Sequence, residues 1–206
     1  MNLRRKVIRP TTQQDCVVAV SGGVDSMTLL HFLKDYNNVS AVHIHHNSHT
    51  DDDTALKLVE DYCSKYNIPL DVFKISEKIE SNFECQARDF RRNIFKQYKK
   101  PVYLGHTLDD QVEEYLMSNI KGRLRVINAV NGNIRRPFLF IKKSDLYEYA
   151  RENDIPYIDE STNFDGSNQR SYCRNFIVPH ALLINPGLYK TVARISQEYF
   201  TTQGYL

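Results

Sequence analysis

The sequence lacks a C-x-x-C pair. Its cysteines, Cys16, Cys63, Cys85 and Cys173, stand far apart, so neither a zinc site nor a cysteine-held cluster is indicated. It also lacks any apolar run of membrane-spanning length, and no apolar stretch follows the basic start "MNLRRKVIRP". No membrane partner and no secretory signal are expected; the expectation is a cytoplasmic protein with reduced thiols. Internal repeats, low-complexity tracts and Pro/Gly linkers are missing as well, which favours one domain with a C-terminal extension packed onto it. The excess of positive charge is only +2, too small to diagnose a nucleic-acid binder, so local basic clusters must carry that argument. No G-x-x-x-x-G-K-[ST] occurs, which removes the Walker type of phosphate loop.

What is present fits a soluble globular chain. At 206 residues, 41% hydrophobic and 25% charged, there is ample length for a core. Four segments read as strands: "CVVAV" (16–20), "VSAVHIH" (39–45), "LDVFKI" (70–75) and "PVYLGH" (101–106). Between them, 26–36, 51–66 and 82–99 have helical periodicity. That alternation predicts βαβ units and a parallel sheet covered on both faces. From about Leu124 the rhythm changes. A short hairpin is predicted to turn at Asn131-Gly132, a helix to run over 144–153, a polar loop over 157–175, and a last helix from Leu188 to about Phe200. The division expected is a nucleotide-binding core over 1–130 and an extension of the same domain over 131–206.

In a parallel sheet, ligands bind beyond the carboxyl ends of strands. The residues there after the first strand are "SGGVDS" (21–26). Gly22 and Gly23 allow backbone N–H groups to approach an anion, and the following helix adds its positive end. Ser21 and Ser26 offer hydroxyls, and Val24 falls within the loop. Asp25 is the odd member, because a carboxylate beside phosphate is repulsive unless a cation lies between them. Mg²⁺ bridging Asp25 to a pyrophosphate answers that. The plainer alternative, an ordinary strand–helix turn with a Ser or Asp cap, explains a lone glycine pair better than it explains the whole hexapeptide.

The hexapeptide resembles the PP-loop of the N-type ATP pyrophosphatases, which split ATP into AMP and pyrophosphate to activate an oxygen by adenylation. The resemblance implies an α/β fold of the adenine nucleotide alpha-hydrolase type, a Rossmann-like parallel sheet with a small helical C-terminal extension. Three further segments are similar to the tRNA(Ile)-lysidine synthetase family. "ECQARDFRRNIFKQY" (84–98) looks like its E-x-x-A-R-x-x-R-Y helix, and places Arg88 and Arg91 on one face. "GHTLDDQVEEY" (105–115) carries H-x-x-D-D-x-x-E as His106, Asp109, Asp110 and Glu113, directly after Gly105. Over 135–182, Arg136, Pro137, Asp159, Ser161, Asn163, Arg170, Arg174, Asn175 and Pro179 fall on the family pattern. Thr162 is inserted between Ser161 and Asn163, and Val178 stands where a basic residue is usual.

The resemblance implies an ATP-dependent, tRNA-modifying ligase that forms a carbon–nitrogen bond. A tRNA wobble cytidine, on isoleucine tRNA with a CAU anticodon, is adenylated. Free L-lysine then displaces AMP to give lysidine. ATP and Mg²⁺ are the implied cofactors, with Asp25 and Asp109 as metal ligands and His45 or His46 lining the nucleotide site. Asp110 and Glu113 would hold the lysine ammonium, and Arg88 and Arg174 the phosphates or the adenylated base. Each has a bland alternative: acids at a helix start are favoured by the macrodipole, and helix arginines are often solvated. For His43, His45, His46 and His49 a strand-end or surface position is the simpler reading, because alternation sends His43 and His45 to one face and His46 to the other.

Thiolation by a related PP-loop enzyme is disfavoured by the cysteine spacing. Family members commonly continue into further C-terminal domains, so with the last residue at Leu206 the expectation is tRNA contact through the catalytic domain alone, through a partner, or more weakly. Basic clusters at 4–6, 121–125 and 135–136 are candidate phosphate contacts. Three other readings stay open: an enzyme acting on another tRNA base or a small substrate, a non-catalytic nucleotide- or tRNA-binding module, and a truncated catalytic domain intact in fold yet deficient in tRNA affinity. A homodimer is also open.

Overall fold

Six strands form one sheet in a computed structural model that describes residues 7, 15–45, 50–75, 83–159 and 168–202. The first three βα units run β1 (Cys16–Ala19), α1 (Val24–Lys34), β2 (Val39–His45), α2 (Thr50–Lys65), β3 (Leu70–Lys74) and α3 (Phe83–Gln97). Then come β4 (Val102–Tyr103), α4 (Leu108–Ile120), β5 (Val130–Asn131), β6 (Ile134–Arg135) and α5 (Lys143–Glu152). The strand order is β3-β2-β1-β4-β6-β5, parallel except for the β5–β6 hairpin. The mostly parallel α/β architecture matches the expectation from sequence.

Alternation along β1 sorts the two faces. Cys16, Val18 and Val20 join the core formed with α1, α2 and α5, where Met27, Leu30, Tyr62 and Leu146 are buried. Val17 points the other way and packs with Val42, Val102 and, from α3, Ile94 and Phe95. α1 is buried over most of its surface, which explains its apolar run, and its N-cap, Gly23, makes no side-chain cap bond.

The order of strands matters for function. The chain moves outward from β1 through β2 to β3, then returns to place β4 on the other side of β1. The segments leaving β1 and β4 therefore diverge at a topological switch point, where such sheets open a crevice.

Two expectations are corrected. The hairpin turns at Gly132-Asn133, not Asn131-Gly132: Asn131 pairs with Ile134, and Gly132 takes φ 59°, a left-handed geometry that suits glycine. The stretch expected to be loop up to 175 is already helical from Gln169. There α6 (Gln169–Tyr172) passes through a π-helical turn (Cys173–Ile177) into α7 (Val178–Ile184), followed by α8 (Leu188–Thr202). Asn168 starts this run by accepting from the N–H groups of Arg170 and Ser171 at 3.0 and 2.8 Å. Pro179 lacks an N–H and its ring presses on the carbonyl four residues back; the wider π turn ahead of it absorbs that. Cys173 and Val178 from this run pack with Val112 of α4 and with Leu188 and Val192 of α8.

Candidate active site at the sheet switch point

The 21–26 loop leaves β1 in a geometry that needs glycine at position 22, whereas Gly23 takes an extended backbone open to any residue. Gly22 has φ 94°, and a Cβ there would stand 3.1 Å from the Cβ of Ala55. Its carbonyl accepts from the N–H of Ile158 at 2.9 Å. Gly23 caps α1 without any side-chain bond, leaving the helix's first N–H groups open toward solvent or ligand. Ser26 Oγ donates to the Gly23 carbonyl at 3.0 Å and lies 3.1 Å from Ser21 Oγ. The hydroxyls are thus held by the loop itself. Gly105, just beyond β4, packs so tightly on α1 that a Cβ would meet the backbone of Asp25 at 3.0 Å and the Ser26 nitrogen at 3.2 Å.

These segments border a cleft of about 1160 Å³. Of the residues predicted from sequence, Ser21, Gly23, Val24, Asp25, Ser26, Arg88, Gly105, His106 and Asp110 line it together. Gly22, His45, Asp109, Glu113 and Arg174 do not. His45 lies with His43 on the opposite face of β2, as alternation required, and there bonds Asp53 of α2 at 3.1 Å. The cleft face of β2 is Val42 and Ile44. The expectation that His45 lines the nucleotide site is corrected accordingly; His46 lies outside the described residues.

Asp25 is the chemical centre of the loop. Its Oδ1 is buried with no hydrogen-bond partner, while Oδ2 lies 3.6 Å from Lys143 Nζ. Burial pushes its carboxyl up to about 6; Lys143 opposes this, and Asp110 and Asp109 add to it. A buried carboxylate oxygen without a donor, in the field of two more carboxylates, is what a hard cation would relieve. Among the described residues no three His, Cys, Asp or Glu side chains gather as a metal cage. Mg²⁺ is usually held by one or two carboxylates with substrate phosphates completing its shell, and Asp25 offers one such carboxylate.

The acidic start of α4 divides its labour. Asp109 Oδ2 accepts from the N–H of Lys143 at 2.7 Å and Oδ1 from the Tyr189 hydroxyl at 2.8 Å, so it ties α4 to α5 and α8. Asp110 Oδ2 accepts from the N–H of Thr107 at 2.7 Å, the helix-start role that the bland reading assigned it. Among the described residues its Oδ1 meets only Arg170, at 3.4 Å, and the residue borders the cleft. Burial pushes the Asp110 carboxyl up, but His106, Arg170 and Thr107 outweigh this and hold it below the usual range. Glu113, 2% exposed, takes Arg174 Nε at 2.6 Å and Arg170 Nε at 2.9 Å. It does not face the cleft as a free carboxylate.

Sequence reasoning left out Lys143 and Arg170 as site residues. Arg170 was visible only as a pattern position. Lys143 carried no local signal, because its partner Asp25 comes from another element altogether.

The chain belongs to the PP-loop family: the family model described as a PP-loop domain matches residues 2–181. Its curated relatives include proteins named tRNA(Ile)-lysidine synthase. The one from Oceanobacillus iheyensis is 34% identical over 92% of this chain and 46% of its own length. That from Thermotoga maritima is 32% identical over 87% and 48%, and that from Francisella tularensis subsp. holarctica 32% over 91% and 51%. The chain thus spans about half the length of the curated relatives it matches. Among solved structures, a U34-tRNA thiolase from Methanococcus maripaludis with its [4Fe-4S] cluster superposes with a TM-score of 0.75, covering 97% of this chain and 77% of that one. At 15% identity this likeness concerns the fold.

Proposed function

We propose that this chain carries an ATP-dependent tRNA-modifying activity of the lysidine-forming type. The observation that carries the reading is the unpartnered, buried Oδ1 of Asp25 beside the open first turn of α1, at the mouth of a cleft large enough for a nucleotide and a base. The names of the curated relatives point to an isoleucine tRNA as substrate class; a CAU anticodon on that tRNA and free L-lysine as second substrate are part of the proposal.

In this reading the 21–26 loop and the N–H groups of α1 bind the pyrophosphate portion of ATP. Asp25 would hold Mg²⁺, which neutralises charge on the pyrophosphate as it leaves. The C2 oxygen of cytidine attacks the α-phosphorus as the bond to pyrophosphate breaks. The lysine ε-amine then attacks C2, the bond to AMP breaks, and the amine loses a proton to a neighbouring carboxylate or to water. Asp110, ionised and only loosely held by Arg170, reads the lysine amine. Glu113 acts through Arg170 and Arg174, which it fixes in place, and Arg88 faces the phosphates across the cleft. Asp109 supports Asp25 from behind, through Lys143, more than as a ligand with a free oxygen.

A sulfur-transfer reading draws on the fold likeness to the thiolase. Its chemistry needs reactive thiols, and among the described side chains Cys16, Cys63 and Cys173 are all buried, Cys85 lying outside them. Burial pushes Cys16 up to about 12 and Cys63 to about 11, far from the thiolate that sulfur chemistry uses. A non-catalytic module remains the second alternative. ATP–pyrophosphate exchange, with and without tRNA, separates the cases. Exchange that requires a cytidine-bearing tRNA is expected; ATP binding with no exchange under any condition would leave a module.

A further inference from the structure

We propose that His106 and Arg136, with Arg91 lining the same cleft, form an oxyanion site that takes a carboxylate or phosphate group of a substrate. The inference deepens the adenylation reading and rests on it for the identity of the substrates.

Arg136 follows β6 and is anchored from behind. Its Nη1 donates to the carbonyl of Asn128 at 2.8 Å, and its backbone N–H to that of Ala129 at 2.9 Å. Its Nε is buried and has no partner, and among the described residues no carboxylate lies within ion-pair distance of it. Arg170 and Arg174 differ: both are paired with Glu113. His106, on the segment leaving β4, presents a second buried and unpartnered nitrogen, Nδ1. His106, Arg136 and Arg91 line the same cleft.

A guanidinium offers donors only, and a neutral imidazole offers one more donor when Nδ1 carries its proton. Buried donors without acceptors are rare unless a ligand supplies the acceptor. Arg91 adds a second positive charge, so the missing acceptor is an anion better than a water. Electrostatics agree. Burial, then Arg92, pushes Arg136 down to about 10, and the opposing pull of Asp110 does not restore it. Burial also pushes His106 down to about 4, with Arg136, Arg170 and Arg91 adding to the effect and Asp110 opposing it. Asp110, the one carboxylate acting on both groups, does not offset burial and the neighbouring arginines. Two groups of the proposed substrates could supply the anion: the α-phosphate of the nucleotide or the carboxylate of the amino acid.

The test compares matched ligands on the full chain. Calorimetric affinities are measured for AMP against adenosine and for L-lysine against L-lysinamide, in the parent, Arg136→Gln, Arg136→Lys and His106→Ala. If the site takes the phosphate, Arg136→Gln lowers the AMP-to-adenosine affinity ratio by about tenfold or more and leaves the lysine ratio alone. If it takes the carboxylate, the lysine-to-lysinamide ratio falls instead. Arg136→Lys should lose less than Arg136→Gln, and His106→Ala should move the same ratio. Variants are first shown to melt cooperatively near the parent temperature. Both ratios unchanged within twofold in Arg136→Gln and in His106→Ala would overturn the proposal. A parent chain that binds AMP but not lysine would count against the lysidine reading alone, and the AMP arm would still decide this site.

Discussion

Arg174 and Glu113, 61 positions apart in sequence, form an ion pair 2.6 Å from Nε to Oε1. Arg170 closes on the other oxygen at 2.9 Å. One sealed carboxylate thus joins α4 to α6 and the π-helical turn. Glu113→Gln should destabilise the chain by about 1–3 kcal/mol, since both guanidiniums are about half exposed and keep access to water. Asp110→Asn should behave differently. It should reduce lysine incorporation by about tenfold or more while AMP formation falls less. Following both products separately checks this, and equal losses would move Asp110 to the ATP site.

Asp25 makes a prediction with a definite sign. Its carboxyl titrates near 6 in the folded chain against an ordinary value of 3.8. The folded state therefore holds its proton more tightly, and stability falls as pH rises from about 4 through 6. Asp25→Asn removes that burden: it should stabilise the free chain by about 1–3 kcal/mol at pH 8. The gain should fade toward pH 4–5, where Asp25 is protonated anyway. The same variant should abolish pyrophosphate release. Melting curves across pH read the first effect, and a variant less stable than the parent at pH 8 would contradict it.

Gly105→Ala tests the close approach of the β4 loop to α1. Its Cβ would meet Asp25 backbone atoms at 3.0 Å, tighter than ordinary packing, so that backbone must give by a few tenths of an ångström. The expected loss is about 1–3 kcal/mol of stability, with weaker pyrophosphate binding, because the first turn of α1 must shift. Thermal melts and pyrophosphate titration check both. Stability lost with affinity intact would make Gly105 a packing residue only.

If tRNA binds along the basic side of the cleft, Arg88, Arg91, Arg92 and Arg125 are the side chains that meet phosphates. Affinity should then drop by about tenfold or more between 50 and 200 mM salt. An isolated anticodon stem-loop with the wobble cytidine should bind comparably to whole tRNA. A flat salt response, or strict dependence on the acceptor stem, would point to contacts elsewhere.

Much of this was legible in the amino-acid sequence, and the rest has a physical reason for being hidden. β2 spans Val39–His45, as its β-branched run indicated. The 21–26 loop stood out because two glycines and a carboxylate have no reason to follow a buried strand unless something binds there. The helical run from Gln169 was hidden because its sequence is polar and its apolar contacts are few until Cys173 meets α4. The role of Glu113 was misjudged because spacing shows which residues share a helix face, not which arginines arrive from 57 and 61 positions away. Lys143 was missed for the same reason. Long-range charge pairing leaves no local mark.

The most direct measurement of the central claim mixes the chain with ATP, Mg²⁺, radiolabelled L-lysine and isoleucine tRNA with a CAU anticodon. The account predicts label fixed to the tRNA, with one AMP and one pyrophosphate released per lysine, and none of these with Asp25→Asn. Release of ADP and phosphate in place of AMP and pyrophosphate, or label fixed equally well by Asp25→Asn, would contradict it.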